Sequence, residues 1–323
     1  MKCFNPISLK VDIMDSEGCI DSRTIQVPCG KCVSCMSRRS DEWIVRLGEE
    51  FRNCDKAYFF TLTYDDEHLP IKQVYDPNAV VFTDDCGYPS FGCKKLIPTF
   101  DTDDIKAFIK RLRKKVQGFP IRFFIAPEYG PTTLRPHYHG IIFNYPKRLD
   151  KFDEDVFDTW QNGFTSAAEV NPARIMYVAK YCNSLSDIPT YFPRGRVQCS
   201  RRPALGSSYL DRTDRVKFHK ENLTLDYIDE KGFHHVLPRY YRRKIFDKQE
   251  LALIREEFER LQEEDPTYQI KQLRRFTDQM AKKFGLEYAE DLKRLFEQLH
   301  EEEDWKKRKF ERDARKKIKK RKL

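Results

Sequence analysis

The sequence RPHYHGIIF has a histidine on either side of a tyrosine, in a chain that contains seven histidines in all. In a β-strand, side chains alternate between the two faces, so His137 and His139 would share one face with Cα atoms about 6–7 Å apart. Two imidazoles at this spacing can bind one metal ion. We expect Tyr138 to point the opposite way, with Ile141 and Phe143, into a core. The alternative is a half-exposed strand that binds no metal.

A carboxylate lies nine residues before the first of these histidines. Glu128 ends the preceding predicted strand, IRFFIAPEYG. If the two strands are neighbours, Glu128 can meet His137 and His139 in a three-ligand site with open positions for water or phosphate, which is typical of catalytic sites. Imidazoles favour Zn or another transition ion, phosphoryl chemistry usually uses Mg or Mn, and Mn agrees with both arguments. Otherwise Glu128 is a loop carboxylate near a turn.

Two tyrosines and a lysine in the sequence YVAKY could supply a nucleophile. In the predicted helix NPARIMYVAKYCNSL, Tyr177 and Tyr181 are four residues apart and share one face, which Lys180 borders. A nearby cation favours the phenolate form of a tyrosine. The alternative is that both tyrosines serve only in packing.

A metal and a tyrosine together make one reaction plausible, the attack of the phenol on a DNA phosphodiester. The tyrosine would become joined to the 5′ phosphate and would leave a free 3′ hydroxyl, while the metal withdraws charge from a phosphate oxygen. A second tyrosine on the same face could then transfer the strand without water.

The net charge of +9 is concentrated near the end of the chain. Residues 306–322 hold twelve Lys and Arg against two acids, so the remaining 48 basic and 49 acidic residues nearly cancel. Such a basic tail suits the phosphate backbone of nucleic acid, although a solvated helix end is the alternative.

The first residues, MKCFNPISLKVD, lack the apolar segment of a signal peptide, and no stretch resembles a transmembrane helix. We therefore expect a cytoplasmic protein with no membrane partner. In a reducing compartment, the ten cysteines are expected to be thiols or metal ligands rather than disulfides.

Three of these cysteines follow one another at three-residue steps in the sequence CGKCVSC. Cys29, Cys32 and Cys35 could bind one structural zinc ion, with Cys3 as a fourth ligand. Buried thiols without a metal are the alternative, and an iron–sulfur cluster is a remote one.

The order of the predicted elements indicates an α+β fold. Strand YFFTLTY is followed by an amphipathic helix, two strands, a further helix, a strand and the YVAKY helix. This order predicts a central antiparallel sheet with packed helices, of the split-βαβ kind, followed by a C-terminal helical extension. The predicted division is a Cys-rich segment at 1–56, an endonuclease domain at 57–245 and the extension with its basic tail at 246–323.

The combination of these motifs resembles the HUH endonucleases that start rolling-circle replication. The similarity rests on HYH, YVAKY and FFTLTY, and it is closest to the replication initiators of microviruses of the gokushovirus type, on CGKCVSC, TLTYDDEHLP, SRRPALG and LPRYY. The resemblance implies that His137 and His139 bind Mg or Mn, that Glu128 is the acidic ligand, and that Tyr177 and Tyr181 are the nucleophiles.

The sequence therefore predicts a replication initiator that nicks one strand of viral DNA at the origin and later rejoins it. Its expected partners are single- and double-stranded DNA and the host replication machinery. The alternative is a non-enzymatic regulator that binds nucleic acid through a zinc module.

Overall fold

The structure is a computed structural model of the 323-residue chain. It describes residues 3, 5–14, 20–30, 33–83, 89–130, 132–180, 188–189, 191–230 and 232–264. The chain divides into two compact units. The first comprises Met1–Met36, Glu230–His234 and Leu251–Leu323, and the second comprises Ser37–Asp229 and His235–Glu250. The division predicted from the sequence, with boundaries at 56/57 and 245/246, stays a prediction.

Eleven strands and seven α-helices lie within the described ranges. The strands are β1 (Ile7–Met14), β2 (Ile20–Val27), β3 (Ala57–Tyr64), β4 (Ile71–Thr83), β5 (Pro89–Pro98), β6 (Arg122–Tyr129), β7 (Pro136–Phe143), β8 (Gly163–Glu169), β9 (Gln198–Cys199), β10 (Asp226–Ile228) and β11 (His234–Val236). The helices are α1 (Val33–Arg52), α2 (Thr102–Lys115), α3 (Leu149–Trp160), α4 (Pro172–Lys180), α5 (Thr213–Asn222), α6 (Arg239–Ile245) and α7 (Lys248–Glu264). None of these helices has the length and apolar character needed to cross a membrane.

A five-stranded antiparallel sheet is the centre of the second unit. Its strand order is β8-β3-β7-β6-β9, so the two strands predicted to carry the metal ligands, β6 and β7, are hydrogen-bonded neighbours. β3 pairs with β7 on one side and with β8 on the other. The α+β fold with a central antiparallel sheet and packed helices is confirmed.

One face of this sheet packs against α2 and α3. Tyr58, Phe60, Leu62 and Tyr64 alternate along β3 and are buried there with Trp160 of α3. The period-two pattern of a strand and the period of an amphipathic helix thus meet in one apolar layer.

The other face packs against α1 and α4, and it corrects one expectation about β7. Ile142 lies with Tyr138 on the α2–α3 side, whereas Ile141 and Phe143 belong to the core on the α1–α4 side. The physical reason is the alternation itself, because residues an even number of positions from His139 must share its face. The histidine face therefore continues directly into a buried core.

Two regions are more regular than the sequence indicated. The stretch after β3, expected to be a long loop or a small hairpin, is a long antiparallel hairpin of β4 and β5 that contains register shifts. The segment after residue 187, expected to be irregular, contains α5 and α6. The helical pattern predicted beyond Glu264 lies outside the described residues.

Gly140 of β7 faces a buried ring, and its replacement is expected to be costly. A Cβ at this position would lie 2.3 Å from Cζ of Phe60, which packs against Phe108 and is fully buried. We expect Gly140→Ala to lower the free energy of unfolding by about 1–3 kcal/mol in urea titrations, because the core is overpacked.

The matched control is Gly48→Ala in α1. A Cβ there meets nothing within 4 Å, so alanine should leave stability unchanged or raise it by up to about 1 kcal/mol through its helix propensity. Equal stability of the two variants would contradict the packing described for Phe60.

Candidate active site

The two histidines of β7 lie on the face that α1 and α4 cover at its other end. His139 stands opposite Thr61 of β3 and His137 stands opposite Thr63, so the four side chains share one face. The imidazole centroids are 6.4 Å apart, and only 7% of His139 is exposed. The alternation predicted from the sequence is confirmed.

Each histidine is oriented by a threonine that the sequence analysis missed. Oγ1 of Thr61 lies 3.1 Å from Nδ1 of His139, and Oγ1 of Thr63 lies 3.3 Å from Nδ1 of His137. A hydroxyl both donates and accepts, so it can serve either tautomer of the ring. With Nδ1 bound to a threonine, the Nε2 atom of each ring is the one available as a ligand. The signal in the sequence was the TLT triplet, which has the same i, i+2 spacing as HYH.

Glu128 reaches the same face from β6. Its Cα pairs with that of His137, and its Oε2 lies 2.7 Å from Nε2 of His139. Both side chains are largely buried. The predicted meeting of a carboxylate with the histidine pair is therefore present on the diagonal between neighbouring strands.

His137 is turned toward an open space beside its own Nε2 atom. A Cβ at Gly130 would lie 2.6 Å from this atom, so only glycine leaves the space clear. Burial lowers the pKa of His137, and the neighbouring His139 lowers it further while Glu128 acts in the opposite direction. The neutral imidazole, which is the form that binds a metal, is favoured as a result.

The ligand atoms of His137, His139 and Glu128 do not all lie within 4.8 Å of one another in this arrangement. The hydrogen bond between His139 and Glu128 occupies the contact that a shared cation would take. The donor set of two imidazoles and one carboxylate, with its threonine supports and the space at Gly130, nevertheless fits a divalent ion.

Tyr177 approaches this site from α4. Asn171 caps the helix by accepting a hydrogen bond of 2.8 Å from the backbone N–H of Arg174, and Ile175 and Val178 anchor it in the core. The Tyr177 ring lies 5.2 Å from the His139 ring between centroids, and 43% of the residue is exposed. A phenol and the candidate metal ligands are therefore on one side of the sheet.

Two other tyrosines close in sequence to the site face away from it. Tyr64 and Tyr138 are buried between the sheet and α2, where their hydroxyls contact each other at 3.3 Å. Burial raises the pKa of both. Neither can reach DNA, which leaves Tyr177 as the described tyrosine next to His139.

The remaining predicted residues around the nucleophile are only partly placed. Lys180 is the exposed last residue of α4, and Tyr181 lies outside the described residues. Arg174, three residues before Tyr177, donates a hydrogen bond of 2.6 Å to the Glu169 carbonyl and lies over the Phe59 ring. Cationic side chains thus stand one helical turn before and after Tyr177.

The aromatic residues divide between the two faces. Phe59 stacks against His139 at 6.0 Å on the site face, whereas Phe60, on the next position of β3, is buried in the opposite core with no access to DNA. Phe164 of β8 was not singled out from the sequence, yet it pairs with Thr63 on the site face and is exposed. Its placement depends on which strand neighbours β3, which no local pattern encodes.

A family model described as replication-associated protein ORF2 matches residues 57–186. The matched region begins at the first residue of β3 and includes β6, β7 and α4. This chain is a relative of viral replication-associated proteins. The family resemblance predicted from the sequence motifs is confirmed.

Three replication-associated relatives have similar sequences over most of the chain. Replication-associated protein ORF2 of Spiroplasma virus 4 is 28% identical, over 68% of this chain and 67% of the relative. Replication-associated protein VP4 of Bdellovibrio phage phiMH2K is 26% identical, over 75% and 76%. Replication-associated protein ORF4 of Chlamydia phage 1 is 25% identical, over 67% and 52%. No solved structure matches the chain.

The threonine pair provides a prediction about metal affinity. Thr61→Val with Thr63→Val keeps the side-chain shape and removes both contacts to Nδ1, so we expect Mn²⁺ to bind about 10–100-fold more weakly in calorimetric titrations. The control is Thr165→Val on β8, which pairs with Leu62 on the opposite face of the sheet and should bind Mn²⁺ like the unmodified chain. Equal affinities in all three proteins would remove the supporting role given to Thr61 and Thr63.

Proposed function

We propose that this chain initiates rolling-circle replication of a viral DNA by nicking one strand at the origin and rejoining it. The shared description of the relatives supports a role in viral DNA replication. The observation that carries the nicking activity is the position of Tyr177, whose exposed ring borders His139 on the face that also holds His137 and Glu128.

The proposed cut is a transesterification at Tyr177 or Tyr181. The phenol oxygen attacks the phosphorus, the bond from phosphorus to the 3′ oxygen breaks, and the departing oxygen takes up a proton while the phenol loses one. The products are a 5′-phosphotyrosine and a free 3′ hydroxyl. Attack by a 3′ hydroxyl on the phosphotyrosine reverses the step, so joining needs no other energy source.

His137, His139 and Glu128 are the residues that would hold a divalent ion, Mg or Mn. When bound, such an ion supplies a positive charge that withdraws electron density from a phosphate oxygen. The chain itself orients the two imidazoles through Thr61 and Thr63 and keeps the space beside Gly130 clear.

Charged and aromatic side chains near Tyr177 suit a single strand of DNA. Arg174 and Lys180, one turn before and after the nucleophile, would attract the phosphates on either side of the cut. Phe59 and the exposed Phe164 share the site face and would stack against bases, which accept any sequence through their π-faces. The basic tail at 306–322 would add affinity for DNA of any sequence, and host polymerase would extend the 3′ hydroxyl.

The direct test uses the genome that encodes this chain, tiled into overlapping single-stranded oligonucleotides labelled at the 3′ end. After incubation with Mn²⁺, we expect one tile or a few neighbouring tiles to give a labelled protein band that resists SDS. Label at the 5′ end should leave with the released fragment, because the protein is joined to the downstream 5′ phosphate. A chelator should prevent both products.

The alternative, a zinc-containing regulator without catalytic activity, predicts a different result in the same experiment. It would retard the tiles in a native gel and give no SDS-resistant band under any metal condition. That outcome with the full set of tiles would overturn the proposed nicking activity.

A further inference from the structure

Three cysteines from separate places in the sequence converge within the first unit. Cys3 precedes β1, Cys29 follows β2 and Cys35 lies near the start of α1, yet their sulfur atoms all lie within 4.8 Å of one another. We propose that these thiols bind a structural zinc ion, at a site chemically different from the histidine–carboxylate site of the second unit.

The spacing of the sulfurs fits a tetrahedral metal better than a disulfide. With Zn–S bonds of about 2.3 Å, the edge of a thiolate tetrahedron is about 3.8 Å, so sulfurs within 4.8 Å need only small shifts. A disulfide joins two sulfurs at about 2.05 Å and leaves the third thiol unexplained. The presence of a third sulfur at the same short range therefore favours a shared metal ion.

The local backbone explains why these residues meet. Ile7 of β1 pairs with Val27 of β2, so Cys3 and Cys29 both lie at the open end of this hairpin. The backbone N–H of Cys29 donates a hydrogen bond of 3.2 Å to Sγ of Cys3, a contact that stabilises a thiolate. Gly30, with φ of 72°, then turns the chain toward α1.

Cys35 contributes from the first turn of α1. The partial positive charge at a helix N-terminus favours a thiolate over a neutral thiol at this position. Cys32 stands midway between Cys29 and Cys35 in the sequence and lies outside the described residues. Its spacing makes it the proposed fourth ligand, which the variants below test separately.

A metal at this point would supply the hairpin with stability that its side chains do not. Ile7, Leu9 and Ile25 are exposed on β1 and β2, and a hairpin of two strands is marginally stable by itself in water. A tetrahedral ion that joins the open end of the hairpin to the start of α1 couples metal binding to local folding. Loss of zinc should therefore loosen β1 and β2 and leave the sheet of the second unit intact.

The test is the zinc content of the full chain, purified without a histidine tag under reducing conditions and measured by mass spectrometry of the elements. We expect about one zinc per chain. Cys3→Ala, Cys32→Ala and Cys35→Ala should each lower the retained zinc by at least about tenfold after dialysis against a weak chelator. The control is Cys93→Ala on β5, outside the cluster, which should keep the full content.

Two further proteins keep the result interpretable. Cys3→His replaces one zinc ligand by another and should retain the ion, which separates ligand loss from general misfolding. The double variant His137→Ala with His139→Ala should keep its zinc, because its ligands are not the histidines. In the apo protein, added Co²⁺ should give the charge-transfer absorption of thiolate ligands, and amide exchange in β1 and β2 should slow when the metal binds.

Several results would overturn the zinc site. They are a zinc content that the cysteine variants do not change, zinc that is lost only with His137 and His139, and an apo protein that shows no thiolate absorption with Co²⁺. A disulfide between any two of the three cysteines in freshly purified reduced protein would have the same effect. None of these measurements involves DNA, so a failure of the zinc site is distinguishable from a failure of the nicking activity.

Discussion

Replacing Tyr177 and Tyr181 together by phenylalanine is expected to slow formation of the covalent protein–DNA product by at least about a thousandfold. Phenylalanine keeps the ring and removes only the phenol oxygen that attacks the phosphorus. The Tyr177 ring packs edge-on against Phe59 and His139, so its replacement by phenylalanine should not disturb α4. The measurement is the rate of appearance of the SDS-resistant band with the reactive tile and Mn²⁺.

The single variants show which phenol acts first. If Tyr177 makes the first cut, Tyr177→Phe alone should lose most of the product, and Tyr181→Phe should cut but fail to release a closed strand. The control is Tyr75→Phe, which changes an exposed tyrosine of β4 and should cut like the unmodified chain. A double variant that still forms the adduct at the normal rate would show that neither phenol is the nucleophile.

Removing the histidine pair is expected to have the second largest effect. In the variant His137→Ala with His139→Ala, nicking should fall by roughly a thousandfold, because a metal contributes several kcal/mol of charge stabilisation in the transition state. Binding of the uncut tile should change only a few-fold, since phosphate contacts from cationic side chains supply most of that affinity. Rates of adduct formation and fluorescence anisotropy measure the two quantities separately.

Two variants protect this result from an effect on folding. His139 is buried, so its loss leaves a cavity, and Glu128→Gln offers a gentler change that keeps the shape and removes the carboxylate charge. We expect it to weaken Mn²⁺ binding and nicking in the same direction. His68→Ala, which removes a half-exposed histidine paired with Asp65, should leave both unchanged. Cutting that persists in excess chelator would remove the role of His137, His139 and Glu128.

The sequence predicted the elements and the site where local patterns decide the outcome. The HYH alternation placed both histidines on one face, and helical spacing placed Tyr177 on an exposed face of α4. The position of Glu128 followed from the assumption that β6 and β7 are neighbours, which the register confirms.

The remaining features depend on contacts that are distant in the sequence. Thr61 and Thr63 matter only because β3 lies beside β7, and Phe164 joins the site face only because β8 lies beside β3. The expected partnership of Tyr138 with Ile141 and Phe143 was wrong because it grouped residues of opposite parity.

The β4–β5 hairpin shows a different limit of sequence analysis. Its strands run from Ile71 to Thr83 and from Pro89 to Pro98, and they contain glycine and proline residues that ordinarily indicate loops. The register shifts between the strands accommodate such residues, since bulges allow irregular positions inside a ladder. A pattern of turn residues therefore did not exclude a long paired structure.

The central claim is that a tyrosine on α4 becomes joined to DNA beside the histidine pair, and peptide mapping of the adduct tests it most directly. Trypsin cleaves after Arg174 and Lys180, so Tyr177 falls in the peptide 175–180 and Tyr181 begins the next one. After nuclease trimming, mass spectrometry should find a nucleotide phosphate on one of these two peptides, and on Tyr177 if it makes the first cut. A nucleotide on any other peptide, or an adduct that carries none on either tyrosine, would contradict the account.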